Sequence, residues 1–421
     1  MMRRLVVCLL FCVTLAPAFE KEPVEVYRRR RAALRKDLDS GITVLFAKKE
    51  DDDAVWGFRQ EDNFYYLTGV DEPGAILVLV PSSDQKFPSE ILFLPPRNLV
   101  REKWTGIKVG PDDPGVAAKL GFETVMSTRA FQSELMKMLP AFNALNTVAA
   151  SDALKTLAPF ADFRDVQRNI ARLRMVKGET EIRLLEKAVA CSLDAHRAAY
   201  EGTRPGMVEY EVAALMQFTF HKAGCTRPAY APIVGSGFNS TVLHYSRNDR
   251  RMEAGDLLVM DVAGEYSGYA ADITRTIPVS GKFTPRQREI YEIVLAAQNA
   301  AIAAVKPGMT MGRGDNSVDK VARDYINSHG KDLKGERLGK YFIHGLGHHV
   351  GLNVHDANDP ARPLAAGMII TIEPGIYIPE ENLGVRIEDM VLVTETGGKL
   401  MSSSLPRDPA EIERIMAARK N

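Results

Sequence analysis

Short apolar runs bounded by Gly and Pro mark the first third of the chain. Ile42-Thr-Val-Leu-Phe46, Ala75-Ile-Leu-Val-Leu-Val80 and Ile91-Leu-Phe-Leu94 are too short for amphipathic helices and predict buried strands. A basic stretch with helical character, Val24 to Leu38, precedes them, and the polar and aromatic segment Phe58-Arg-Gln-Glu-Asp-Asn-Phe-Tyr-Tyr66 lies between the first two. Together they read as one α/β unit over about residues 22–160. The charged stretch Asp162 to Lys187 then predicts a linking helix. In it Gly178 serves as N-cap, with Glu179 and Glu181 near the positive end of the following helix.

The second half repeats itself. Arg204-Pro-Gly-Met207 recurs as Lys306-Pro-Gly-Met309, each after an Ala-rich helical run. Ala254-Gly-Asp-Leu-Leu-Val-Met-Asp261 matches Ala366-Gly-Met-Ile-Ile-Thr-Ile-Glu373: Ala-Gly, an apolar strand, then a carboxylate at the same eighth position. A second strand with another acid follows each, Asp272 in Tyr269 to Ile277 and Glu388 in Val385 to Val393. Two such halves facing each other would bring four carboxylates to one point. A single strand acid is more often a salt-bridge partner. Acids closing runs such as Leu-Leu-Val-Met-Asp261, however, are rarely buried unless paired or metal-bound.

Four of the eight histidines crowd into His344-Gly-Leu-Gly-His348-His349-Val-Gly-Leu-Asn-Val-His355, between the two pairs of acids. Imidazole with carboxylates and no thiolate suits a hydrolytic divalent metal such as Mn, Co or Zn. Four converging carboxylates cannot stay ionised together without cations. Two ions served by five side chains would form a carboxylate-rich dinuclear site, whose chemistry is hydrolysis of an amide or ester. Gly345, Gly347 and Gly351 would let the backbone pass close to metal or substrate. His349 is expected to point the other way along an extended segment. His196, His221 and His329 fall in helical stretches and read as structural.

Composition adds limits. At 421 residues, 45% hydrophobic and 26% charged, the chain is an ordinary globular one with room for two or three domains. Lys+Arg and Asp+Glu balance at 54 each, so no footprint for nucleic acid or a membrane surface is visible, and a small molecule or peptide is the expected partner. Met1-Met-Arg3-Arg4, the apolar run Leu5 to Leu15 and Ala16-Pro17-Ala18 read as a signal peptide cut after Ala18, with no stable membrane span and a periplasmic or secreted product. Cys8 and Cys12 would leave with it. Cys191 and Cys225 remain, either paired or as plain buried thiols.

At these motifs the chain resembles the pita-bread metallopeptidases, and among them the Xaa-Pro aminopeptidases (aminopeptidase P). Phe58 to Gly69 resembles the family's N-domain signature. Ile233-Val-Gly-Ser-Gly237, His244-Tyr245, Met260-Asp-Val262, Ala271-Asp-Ile-Thr-Arg-Thr276, His344 to His348, Val354-His-Asp356, Glu373-Pro-Gly375 and Arg386-Ile-Glu-Asp389 carry the rest, in order and spacing. The implied architecture is α/β (α+β). After the signal peptide at 1–18 it has an N-terminal α/β creatinase-like domain at 19–165, then a C-terminal pita-bread catalytic domain at 166–421 with a pseudo-twofold repeat.

The resemblance also implies roles. Asp261 and Asp272 would hold one metal, His348 and Glu373 the other, with Asp272 and Glu388 bridging. Manganese is the family's usual activator, and assembly is commonly a homodimer or homotetramer. His244 would stabilise the tetrahedral oxyanion, and His355 would position or protonate the proline nitrogen. His344 and Arg386, with Tyr377, would shape the proline pocket. A metal-bridging hydroxide would attack the carbonyl before proline, with Glu373 as proton shuttle. A prolidase shares these ligands and stays open as an alternative. A non-catalytic binding protein would lack ligands that are present here, and creatinase-like amidinohydrolases lack this metal set.

Overall fold

The structure, a computed structural model, describes residues 19–38, 40–50, 55–84 and 86–418. The expected signal peptide and its cleavage site lie outside the described residues. The chain opens with helix α1 (Val24–Asp37), then strand β1 (Ile42–Phe46), helix α2 (Asp62–Thr68) and strands β2 (Ile76–Leu79) and β3 (Glu90–Leu94). Helices α3 (Glu102–Thr105), α4 (Val116–Leu120), α5 (Phe131–Met138) and α6 (Asp152–Leu157) fill the connections to β4 (Thr124–Ser127), β5 (Ala144–Thr147) and β6 (Asp162–Asp165). The strands form one mixed sheet in the order β4-β3-β2-β1-β5-β6. Alternate residues of the apolar runs face opposite ways. Val44, Val78 and Phe93 enter one core, while Leu45, Leu77 and Leu92 enter the other. Both faces are therefore covered, which is why the runs are uniformly apolar.

The linking segment is broken ahead of Gly178, the expected N-cap, where a new helix begins. Asp162–Asp165 is the exposed edge strand β6, helix α7 spans Gln167–Met175, and helix α8 (Glu179–Gly202) starts afresh. The break has a cause. Val176 bridges Met368, and the Lys177 N–H donates to the Gly367 carbonyl at 2.9 Å, so the chain is drawn into sheet pairing between the two helices. The Gly178 N–H donates to the Glu181 carboxylate at 2.9 Å, as a restarting helix requires.

The repeat is visible in hydrogen bonds. The first half runs through α8, α9 (Glu209–Lys222), β7 (Arg227–Pro228), β8 (Ile233–Ser236), β9 (Leu257–Asp261), β10 (Gly264–Tyr266), β11 (Tyr269–Ala270) and β12 (Thr274–Pro278). The second has α10 (Pro285–Ala304), α11 (Val318–Ser328), β13 (Ile369–Ile372), β14 (Gly375–Ile378), β15 (Leu383–Arg386), β16 (Asp389–Val393) and β17 (Gly398–Leu400), and α12 (Pro409–Ala417) closes the chain. Gly206 and Gly308, the glycines of the two Pro-Gly motifs, have φ of 87° and 89°. Their N–H groups donate to Met252 and Leu364, two residues before Ala254 and Ala366, at 2.8 and 2.9 Å. Each long helix also sends one buried polar side chain to the ligand-bearing strands. His196 contacts the Val262 and Ile273 carbonyls at 3.0 and 3.1 Å, and Gln298 donates to Ile372 and Ile387 at 3.0 Å each. His196 is structural, as expected. Cys191 and Cys225 are free, buried thiols. No helix of the described residues is long and apolar enough to cross a membrane.

Candidate active site

Two antiparallel strand pairs position the acids. β9 pairs with β12 so that Asp261 stands opposite Thr274, and β13 pairs with β16 so that Ile372 stands opposite Asp389. Asp272 precedes β12, Glu373 follows β13, and Glu388 precedes β16. The halves join where Thr274 bridges Glu388, whose N–H donates to the Thr274 carbonyl at 3.0 Å. Arg275, fully buried, ties the seam by donating to the Glu388 carbonyl at 2.7 Å and to Asp389 at 2.6 Å.

His348 completes the set. Its Nδ1 lies 3.1 Å from the His349 carbonyl, which leaves Nε2 free to face Asp272 at 3.3 Å and Glu373 at 3.5 Å. Asp272, His348 and Glu388 offer ligand atoms all within 4.8 Å of one another. All five expected ligands line one cleft of about 540 Å³, together with His244, His344, His355 and Arg386. Tyr377 stands one layer back: its hydroxyl meets His344 Nε2 at 2.8 Å and Arg386 Nη1 at 3.0 Å. Arg386 also reaches Asp261 Oδ2 at 2.8 Å.

With this geometry in view, the matches to known proteins are decisive. Residues 183–395 match the model of metallopeptidase family M24, and residues 27–145 that of the aminopeptidase P N-terminal domain. The chain is similar to the Xaa-Pro aminopeptidase of Haemophilus influenzae, 34% identical over 94% of this chain and 98% of that one. The chain belongs to metallopeptidase family M24. Its fold is similar to that of aminopeptidase P from Escherichia coli with the inhibitor Pro-Leu, at 31% identity and a TM-score of 0.85 over 95% of this chain and 99% of that one. The zinc-substituted form of that enzyme in complex with product matches equally, at 32% identity and TM-score 0.85 over 96% of this chain and all (100%) of that one. The N-terminal α/β domain and the pita-bread catalytic domain are therefore those of the aminopeptidase P fold.

The electrostatics of this M24 site call for cations. Burial, reinforced by Asp272, Glu373 and Asp261, pushes Glu388 well above the carboxylate range. Burial, with Asp272 and Asp261, pushes Glu373 up to about 8 against the pull of His348 and Arg386. Burial also raises Asp261, which Arg386 opposes. For His348 burial disfavours charge, but the bond to Asp272 and the nearby Glu373 outweigh it and raise the imidazole to about 9. Asp261 Oδ1 is buried with no hydrogen-bond partner, a costly arrangement that a cation would relieve. An oxygen-rich set with one imidazole fits divalent ions.

His344 is held down at about 4 by burial and Arg386, and His355 is lowered by burial and His348, so both are neutral near pH 7. His349 is buried on the backbone segment that bridges Ile370 and is absent from the cleft wall. The glycines act differently from the expectation. Gly345 and Gly347 line the cleft, but the close neighbour that excludes a side chain at 347 is Thr371 of β13, and at 351 it is Asp356 with Lys177. Sequence reasoning passed over Tyr230, whose buried hydroxyl, facing Asp261, is held well above its ordinary range by burial and that charge. It also passed over Thr274, which donates to Glu388 at 2.7 Å, and Thr371, which donates to Glu373 at 3.2 Å. Two-residue periodicity carried a signal for both, since Thr274 lies two positions from Asp272 and Thr371 two from Glu373.

Proposed function

We propose that this chain releases the N-terminal residue from peptides with proline in second position, using two divalent ions. Asp261, Asp272, His348, Glu373 and Glu388 hold them, manganese being favoured and cobalt or zinc accepted. The observation that carries the reading is the gathering of these five side chains with His244 and His355 in one cleft. The similarity of nearly the whole chain to Xaa-Pro aminopeptidases supports it. When bound, the ions supply the positive charge that lets the carboxylates ionise together and activates water at neutral pH.

The protein's own groups do the rest. With cations bound and its own proton displaced, Glu373 is a carboxylate that takes the proton from the attacking water and passes it on. His244 donates to the oxyanion that develops on the scissile carbonyl. His355 hydrogen-bonds the substrate and positions the proline nitrogen to receive the proton that Glu373 passes on. His344 and Arg386 form the wall for the proline ring, and Tyr377 braces both from behind. The Escherichia coli structure holds Pro-Leu, a ligand of the kind this pocket would receive.

Exposed Leu99, Val100, Trp104 and Ile107 on the first domain support assembly there as a homodimer or homotetramer. Export with cleavage after Ala18 is compatible with the packing of the next residues. Glu20 reaches Tyr266 at 2.6 Å and Glu22 reaches Tyr269 at 2.9 Å, so the mature chain would keep both contacts. The test is hydrolysis of Ala-Pro-Ala beside the dipeptide Ala-Pro with added Mn²⁺. Free Ala from the tripeptide is expected. Cleavage of the dipeptide alone would make the chain a prolidase, and cleavage of neither by protein holding two ions would overturn the reading.

A further inference from the structure

His355 rides on a loop that the first domain grips. The Gly351 carbonyl accepts from Ala270 N–H at 2.9 Å, and Asp356 N–H donates to the His349 carbonyl at 2.9 Å, which anchors the loop's two ends in the catalytic domain. Between them the loop bonds within itself, His355 N–H donating to Asn353 Oδ1 at 3.1 Å, and is gripped by other elements at Leu352, Asn353 and Asp356. Arg59 donates to the Leu352 carbonyl and to Glu265 and Asp62, the last two at 2.9 and 2.5 Å. Asp62 in turn accepts from the Asn353 side chain at 3.2 Å. Arg174 of α7 donates to Asn63 of α2 at 2.7 Å and to Asp356, the residue after His355. Lys177 meets the other oxygen of Asp356 at 3.1 Å.

We infer that Arg59 of the first domain and Arg174 of the linking helix α7, which is itself bonded to Asn63 of the first domain, are positioning residues that set the aim of His355. The physical reason is burial. Arg174, Lys177 and Asp356 are almost inaccessible, with side-chain exposures of 5%, 1% and 2%. A buried guanidinium that joins the Asn63 amide to the Asp356 carboxylate holds both partners in one geometry, because each lost bond leaves a buried polar group unmet. Lysine offers no such fork. The His355 ring stands edge-on to the ligand His348, with centroids 4.3 Å apart, so a small shift of the loop moves the imidazole relative to the cleft. On this account the first domain is part of the catalytic apparatus, and α2 with the linker serves as its splint.

The inference rests on the role proposed for His355, and its test separates the two. Arg174→Ala and Arg174→Lys are compared with wild type on Ala-Pro-Ala, alone and combined with His355→Ala. In the single variants kcat is expected to fall about 10- to 100-fold, as for a catalytic group displaced by an ångström. Metal content should stay at the wild-type level. In the His355→Ala background the same changes should cost almost nothing further, since a residue that acts through another loses its effect when that other is gone. Losses that multiply in full would overturn the relay, as would loss of metal in step with kcat. If Arg174→Ala does not fold, Arg59→Ala runs the same cycle from a side chain that is 28% exposed. Amide exchange gives a readout independent of turnover. Residues 351–356 should exchange at least about 10-fold faster in either variant, while β9 and β12 keep wild-type protection. Unchanged loop exchange overturns the inference. Absence of wild-type turnover would instead count against the proposed function, leaving exchange to judge the relay.

Discussion

Replacing Gly347 by alanine puts a methyl group where the turn before His348 lies against β13. The methyl would overlap the Thr371 carbonyl oxygen and come to 2.8 Å from both Thr371 Oγ1 and its carbonyl carbon. Neither side yields easily. His348 N–H donates to Thr371 Oγ1 at 3.0 Å, Thr371 N–H to the His348 carbonyl at 2.8 Å, and Glu373 N–H to the Leu346 carbonyl at 2.8 Å. Overpacking costs about 1–3 kcal/mol, and one or two broken hydrogen bonds add about 1 kcal/mol each. The sum, about 2–5 kcal/mol, corresponds to a fall in Tm of about 5–15 °C for a domain of this size. Two ligands, His348 and Glu373, flank the strained contact, so metal affinity should fall about 10- to 100-fold, as when supporting contacts of a ligand are lost. Gly345→Ala is the control. A methyl there meets nothing within 4 Å, and stability should hold within about 0.5 kcal/mol. Thermal melts of metal-free protein and calorimetric titration with Mn²⁺ read both effects. Gly347→Ala with wild-type Tm and affinity would refute the claim that this glycine seats the histidine ligand.

Asp272→Ala should abolish turnover with near-wild-type circular dichroism, because the proposed bridging ligand serves both ions; full turnover in metal-replete buffer would contradict it. His244→Ala should lower kcat about 10²–10³-fold, as for a lost oxyanion donor, with metal content unchanged by elemental analysis. Metal uptake should depend on pH. In the cation-free site His348, near 9, and Glu373, near 8, both hold protons at pH 7. Cations must displace them, so affinity should rise between pH 6 and 8, by up to about tenfold per unit for each proton released. Calorimetry in buffers of different ionisation heat measures the release, and a pH-independent affinity would show that these groups are not displaced.

The parts legible in the sequence are those where local pattern and burial coincide. β9 and β13 could be read because each ends an apolar run with a carboxylate, and the repeat aligned the two; the same alignment reappears in the matched hydrogen bonds of Gly206 and Gly308. β4 and β6 gave no such signal, since Thr124–Ser127 is only half-buried and Asp162–Asp165 is largely exposed and polar. In the linker the helix start at Gly178 was legible from the glycine and the two acids after it, whereas the pairing of Val176 with Met368, from far along the chain, left no local signal. Tyr377 was placed in the pocket by resemblance, whereas its hydroxyl braces His344 and Arg386 from behind. The grip of Arg174 on Asp356 spans 182 positions, a contact that no local pattern can show.

The central claim is that four carboxylates and one imidazole form a two-ion hydrolytic site. Metal-free protein titrated with Mn²⁺, while Ala release from Ala-Pro-Ala is followed and bound metal is counted in the same samples, tests it most directly. Turnover should be absent without metal and should saturate at two ions per chain. Full turnover by metal-free protein, or saturation at a single ion, would contradict the account.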